Sequence, residues 1–211
     1  MANRYVRPVL LAILCVLGLP IGVWAGTPLV DKAREQIGVT TSYDPAYKKL
    51  SYPGGDVPRE TGVCSDVVIR AFRGLKIDLQ KEVHEDMTQA FDQYPRKWGL
   101  AHSDANIDHR RVPNLMTYFQ RKGWAVPVSK KPADFHPGDV VAWNLGGNVT
   151  HIGIVSDRSS RGGTRLVIHN IGQGAAEEDI LFRYEIIGHY RPKVDSAPGD
   201  SRRSPAGPHV P

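Results

Sequence analysis

The chain has 211 residues, 41% of them hydrophobic, and carries 27 Lys and Arg against 22 Asp and Glu, a formal net charge of +5. This is an ordinary globular composition, enough for one domain with a real core, and its mild charge without a long basic run excludes a dedicated nucleic-acid binder. No heptad or short repeat is visible.

At the N-terminus, Arg4 and Arg7 precede an apolar run from Val9 to Val23 that is broken by Pro20, and Val23-Trp24-Ala25 offers a cleavage site. This predicts a cleaved signal peptide over residues 1–25 and a periplasmic or secreted product with no stable membrane span. Leu14 stands before Cys15 where a lipoprotein signal carries a small residue, so no lipid anchor is expected. Cleavage takes away Arg4, Arg7 and Cys15, leaving a net charge of +3 and Cys64 as the sole thiol. An unpaired cysteine in an oxidising compartment invites wrong disulfides, so its presence implies deep burial or a chemical use.

After the signal, Thr27 to Ile37 reads as a short helix with Val30, Ala33, Arg34 and Ile37 on one side. A loop with Tyr43, Asp44, Pro45 and Tyr47 follows. The Gly- and Pro-rich run Tyr52 to Pro58 then feeds a helix beginning near Cys64, where Val67, Val68, Ala71, Phe72 and Leu75 recur at helical spacing. A thiol in the first turn faces unpaired backbone N–H groups, which favour its thiolate and could hold an oxyanion through the Cys64 and Ser65 amides. The plain alternative is that Cys64 only begins the apolar stripe.

Asp78 is placed to cap a helix through Leu79, Val83, Met87 and Phe91 that stops before Pro95. On it, His84-Glu85-Asp86 reads as a solvated face. A polar loop follows from Trp98 to Val112, and Pro113 sits at the start of a helix that ends at Gly123. From Pro137 the pattern changes to β-branched runs, Asp139–Leu145, Val149–Ser156, Thr164–Ile171 and Glu185–Arg191, which read as an antiparallel meander. Helices first and strands later predict an α+β domain over residues 27–192, with a helical insertion at about 76–135 and a disordered tail from 193 to 211. Asp139, in His-Pro-Gly-Asp, reads as a strand-entry device.

If the hairpin between the second and third strands turns at Ser160, Gly153 pairs with Val167 and His151 with His169. The histidines then face one another on one side of the sheet, and Gly153 leaves room for the Cys64 helix. A one-residue slip would separate them. A cysteine nucleophile needs a base, and the base needs a third group to fix its tautomer; His151 and His169 fit those roles.

Cys64-Ser65-Asp66, Pro137-Gly138-Asp139-Val140-Val141, His151-Ile152-Gly153-Ile154-Val155 and Val167-Ile168-His169 resemble, in order, the motifs of the NlpC-type papain-like cysteine peptidases that cut bacterial cell-wall peptides. Tyr52-Pro53-Gly54-Gly55-Asp56-Val57-Pro58, Val83-His84-Glu85-Asp86-Met87, the stretch Asn106 to Leu115 and Gly188-His189-Tyr190-Arg191 are similar to a bacterial envelope family of unknown function, number 1287. The first resemblance implies a papain-like α+β fold with the nucleophile helix packed on a C-terminal antiparallel sheet. It also implies Cys64 as nucleophile, His151 as base, His169 as the orienting residue, and no cofactor.

The resulting expectation is an amidase or endopeptidase acting on peptidoglycan stem peptides, with Tyr43, Asp108, His109, Arg110 and Arg111 in its cleft. The alternative for the Asp108–Arg111 run is a salt-bridged loop fastening the inserted helices. Acyl transfer by the same residues, cell-wall binding without catalysis, and metal binding by a set drawn from His102, Asp104, Asp108, His109, His151 and His169 are the competing readings. No tight metal-ligand spacing supports the last.

Overall fold

A computed structural model describes residues 28–194. The expected signal, Cys15 and all but the first two residues of the expected tail lie outside the described residues. The order is α1 (Pro28–Arg34), β1 (Ser42–Tyr43), β2 (Thr61–Gly62), α2 (Cys64–Gly74), α3 (Leu79–Gln89) and α4 (Val112–Arg121), then β3 (Val140–Asn144), β4 (Thr150–Ser159), β5 (Arg165–Asn170), β6 (Ala175–Glu178) and β7 (Glu185–Tyr190). Helices come first and strands later, the α+β arrangement expected. Among the described residues no helix is long and apolar enough to cross a membrane.

Helix α2 starts at Cys64 because the Asp66 carboxylate accepts from the Val63 backbone N–H at 2.7 Å, satisfying a donor that the helix leaves open. It presents Val67, Val68, Ala71 and Phe72 to the core, and all four are fully buried. Asp78 caps α3 by accepting from Gln80 N at 3.1 Å. Phe91 falls beyond that helix, in a short 3-10 turn. Pro113 occupies the first turn of α4, where its missing N–H costs nothing.

The five main strands form one antiparallel sheet in the order β6-β5-β4-β3-β7. Strands β3 to β6 are a meander; β7 departs from it by returning to pair with β3. One face carries Val140, Ala142, Ile152, Ile154 and Ile168 against the helices, in a core with Phe72, Leu115 and Phe119. The segment read as an insertion adds Leu79, Val83, Met87 and Tyr118 to that same core. The other face holds Val141, Trp143, Val155 and Val167, covered by Phe135, Ile180 and Leu181.

The hairpin register differs from the expected one. Ile154 pairs with Ile168 and Val155 with Val167, and a bulge lies between Val155 and Ser159. The pairing is shifted by two residues, so every side chain keeps its face. His169 thus stands across from Gly153, and His151 is its diagonal neighbour. The room at Gly153 is also used otherwise than expected. A Cβ there would meet Val167 Cγ1 at 2.7 Å and His169 Cβ at 3.1 Å, so the glycine accommodates β5 and not the Cys64 helix.

Candidate active site

Cys64 is 4% exposed, at the first position of α2. Burial pushes its thiol up to about 11, and the negative charge of Asp66 adds to that. Backbone N–H groups of Ile152, Ser65 and Cys64 itself pull the other way. The donors expected at the helix start are therefore present, but burial outweighs them and the resting sulfur is a thiol, not the favoured thiolate.

Ile152 follows His151 on β4, so the Cys64 sulfur meets the histidine strand at its backbone. His151 Nε2 lies 3.0 Å from His169 Nδ1, with the two rings edge to face. Burial, followed by the charge of His169, lowers His151 to about 3, so the base also rests neutral. With Nε2 engaged by His169, Nδ1 is the ring nitrogen open to a further partner, and the ring itself lies beside Trp143, on the sheet face opposite Ile152 and Ile154. His169 is also pushed down by burial, while Glu178 opposes that shift.

Cys64 opens on a cleft of about 230 Å³ whose walls include Tyr43, Pro45, Trp98, Arg111 and Thr150. Tyr43 is raised to about 12 by its own burial and then by the Cys64 sulfur beside it. The Arg111 guanidinium lies over the Trp98 ring, 4.1 Å from its centroid, and 3.9 Å from Asp108 Oδ1. A larger hollow, about 380 Å³, lies away from Cys64 between α1 and the 54–59 loop, where Asp56 already holds Arg70 and Arg73.

The other expected substrate contacts are placed differently. Arg110 reaches the cleft wall, but its guanidinium makes a two-pronged pair with buried Asp66, Nε to Oδ1 at 3.0 Å and Nη2 to Oδ2 at 2.9 Å. It also donates to the carbonyls of Ala46 and Asp44, and its own carbonyl accepts from Ser65 Oγ at 2.7 Å. It fastens the 44–46 loop and the 3-10 turn to α2. His109 is 1% exposed and is lowered to about 3 by burial and then by Arg110. Asp108 is fully buried, raised to about 6 by burial, and accepts from the Asp104 N–H. These two serve the interior and not the cleft, because the 3-10 turn at 108–110 points them inward.

His84, on the helix face read as solvated, is half-buried, with its Nδ1 4.0 Å from Asp108 Oδ2, while Glu85 beside it is exposed. Asp139 takes His136 N–H at 2.8 Å, His189 Nε2 at 2.7 Å and Arg191 Nε at 2.8 Å, the strand-entry role read from its sequence. Among the described residues no three His, Cys, Asp or Glu converge to hold a metal.

Sequence reasoning missed Trp98, Thr150 and Glu178. Trp98 was detectable as an aromatic beside a charged loop; Glu178 was hidden because Ala175–Glu178 has no β-branched residue to mark a strand.

The chain is similar to two solved structures, NlpC1 and NlpC2 from Trichomonas vaginalis. The first is 13% identical with a TM-score of 0.41, covering 79% of this chain and 44% of that one. The second is 14% identical with a TM-score of 0.38, covering 78% and 46%. This chain thus spans less than half the length of each. Uncharacterized protein YijF of Escherichia coli (strain K12) is 61% identical over 163 residues, 77% of this chain and 80% of its own length. Residues 30–192, which contain both the sheet and the Cys64 cleft, match the family described as a domain of unknown function, DUF1287. The chain belongs to that family.

Proposed function

We propose that this protein is an exported cysteine hydrolase that cleaves an amide bond of peptidoglycan peptides through an acyl-enzyme on Cys64. The observation that carries the reading is the one cysteine of the described residues, at a helix N-terminus, open to a cleft, beside a strand whose His151 is bonded to His169 at 3.0 Å. Because thiol and imidazole both rest neutral, the thiol proton passes to His151 Nδ1 as sulfur attacks the carbonyl. The Cys64 and Ser65 amides stabilise the oxyanion, His151 returns the proton to the leaving amine, and water releases the acyl group. Arg111, held over Trp98, binds a carboxylate of the peptide. No cofactor is required.

The test is purified mature protein against Cys64→Ala on isolated sacculi, with released fragments identified by mass spectrometry. New muropeptides from the wild type alone support hydrolysis and identify the bond. Acyl transfer by the same residues would instead join the fragment to an added amine.

A second reading, binding of cell-wall peptides without cleavage, is favoured by the buried neutral thiol. Equal binding of sacculi by wild type and Cys64→Ala, with nothing released by either, selects it.

A further inference from the structure

The geometry points to Glu178 as a positioning residue that fixes the proton arrangement of the His169–His151 pair and thereby sets the reactivity of Cys64. This rests on the reading of Cys64 and His151 as nucleophile and base.

Three adjacent strands supply the row. His169 on β5 pairs with Ala176 on β6, and Glu178 stands two residues further along. On the other side, His169 stands across from Gly153, and His151 lies two residues back along β4. Both offsets are even, so His151, His169 and Glu178 share one face of the sheet and form a diagonal row. Glu178 Oε2 is 2.9 Å from His169 Nε2, an ion-pair distance, though to one side of the ring N–H direction. His169 has no exposed surface, whereas the Glu178 side chain is 50% exposed.

A carboxylate at Nε2 favours the His169 tautomer with its proton on that nitrogen. Nδ1 then carries a lone pair and accepts from His151 Nε2–H. That leaves the His151 Nδ1 lone pair free for the thiol proton. When the S–H proton moves to Nδ1, its electron pair stays on sulfur and the buried imidazoles gain one positive charge. Glu178 is the anion that offsets it. Because the carboxylate is half exposed, added salt weakens its effect.

The experiment follows alkylation of Cys64 by iodoacetamide, in which the sulfur–carbon bond forms and iodide leaves. Rates are measured from pH 6 to 9, at low and high salt, for wild type, Glu178→Gln, Glu178→Asp and Glu178→Ala. Glu178→Gln keeps an acceptor and loses the charge. Its rate at neutral pH should fall roughly tenfold, matching about one unit of lost basicity, with the profile displaced upward in pH. Glu178→Asp should keep most of the rate, Glu178→Ala should lose the most, and salt should slow the wild type toward Glu178→Gln while leaving that variant unchanged.

A purely structural role would lower the melting temperature without moving the pH profile or the salt response, and would overturn the proposal. So would a Glu178→Gln profile that superimposes on wild type. Failure of the hydrolase reading is separate: the sacculus assay then stays silent while the alkylation differences persist.

Discussion

Gly153 stands across the sheet from His169, and a methyl group in its place would lie 2.7 Å from Val167 Cγ1, 3.0 Å from the Ile168 carbonyl oxygen and 3.1 Å from His169 Cβ. The absent side chain is what allows the His169 ring to lie back toward His151. Gly153→Ala should therefore cost about 1–3 kcal/mol by overpacking and break the 3.0 Å bond between the rings. Urea denaturation reads the first effect and imidazole NMR the second. Gly162→Ala is the control, since its Cβ would meet only Ser160 Oγ at 3.7 Å. Equal stability of the two variants would refute the argument.

Asp66 and Arg110 are both nearly inaccessible, with side chains 4% and 2% exposed. Such a pair contributes little beyond an apolar replacement, but removing one partner leaves a buried charge unmatched. Asp66→Ala should cost about 3–5 kcal/mol, while Asp66→Ala combined with Arg110→Met should recover part of that loss. The single variant should also loosen the 44–46 loop, whose carbonyls Arg110 holds, and so expose it to limited proteolysis. Additive losses in the double variant would mean that the pair does not act as a unit.

The helix starts, the α+β class and the face shared by the two histidines were legible in the sequence because each rests on a local rule: a cap, a proline, a period of two. Parity survives a two-residue shift, which is why the histidine pair was found although its register was not. The bulge before Ser159 is set by packing and leaves no mark in the local pattern. The Asp108–Arg111 run was readable as charged, but its side chains divide between interior and cleft according to one 3-10 turn, a tertiary result. Of its four residues, only Arg111 has its charged end on the cleft without a side-chain hydrogen bond, its nearest carboxylate being Asp108 at 3.9 Å.

Acid should unfold this protein early. Burial holds His109 and His151 near 3 against an ordinary 6.5, so the unfolded chain takes up their protons first, and stability falls as pH drops from about 6.5 toward 3. Asp108 acts oppositely: raised to about 6 from 3.8, it keeps a proton in the folded state that the unfolded chain releases, which adds stability as pH falls through that range. His169, also pushed down by burial, adds to the histidine side, so three groups against one leave a net loss of at least about 1.4 kcal/mol per pH unit between roughly pH 6 and 4. In His109→Asn one of the depressed histidines is gone, so its melting temperature should vary less over that interval than the wild type's. Parallel curves for the two proteins would exclude a buried, neutral His109.

Arg111 is the cleft cation that makes no side-chain hydrogen bond. Its Nη1 is buried without a hydrogen-bond partner, its nearest carboxylate oxygen is 3.9 Å away, and its guanidinium is spread on Trp98. A charged group pre-positioned on an aromatic loses little freedom on binding an anion, and a charge-assisted bond is worth about 1.5–3 kcal/mol. In the proposed reaction, Arg111→Ala should raise KM by roughly ten- to a hundredfold with kcat little changed, because the contact is made equally in the bound substrate and the transition state. Arg111→Lys should recover less than half of that free energy, since an ammonium neither stacks on the ring nor presents two parallel donors. Trp98→Ala should weaken binding in the same direction but by less, through loss of positioning alone. A substrate amidated at its free carboxylates separates this role from simple packing: it should bind wild type and Arg111→Ala alike. If the arginine still discriminates against the amidated peptide's absence of charge by less than twofold, the cleft reads shape and not carboxylate.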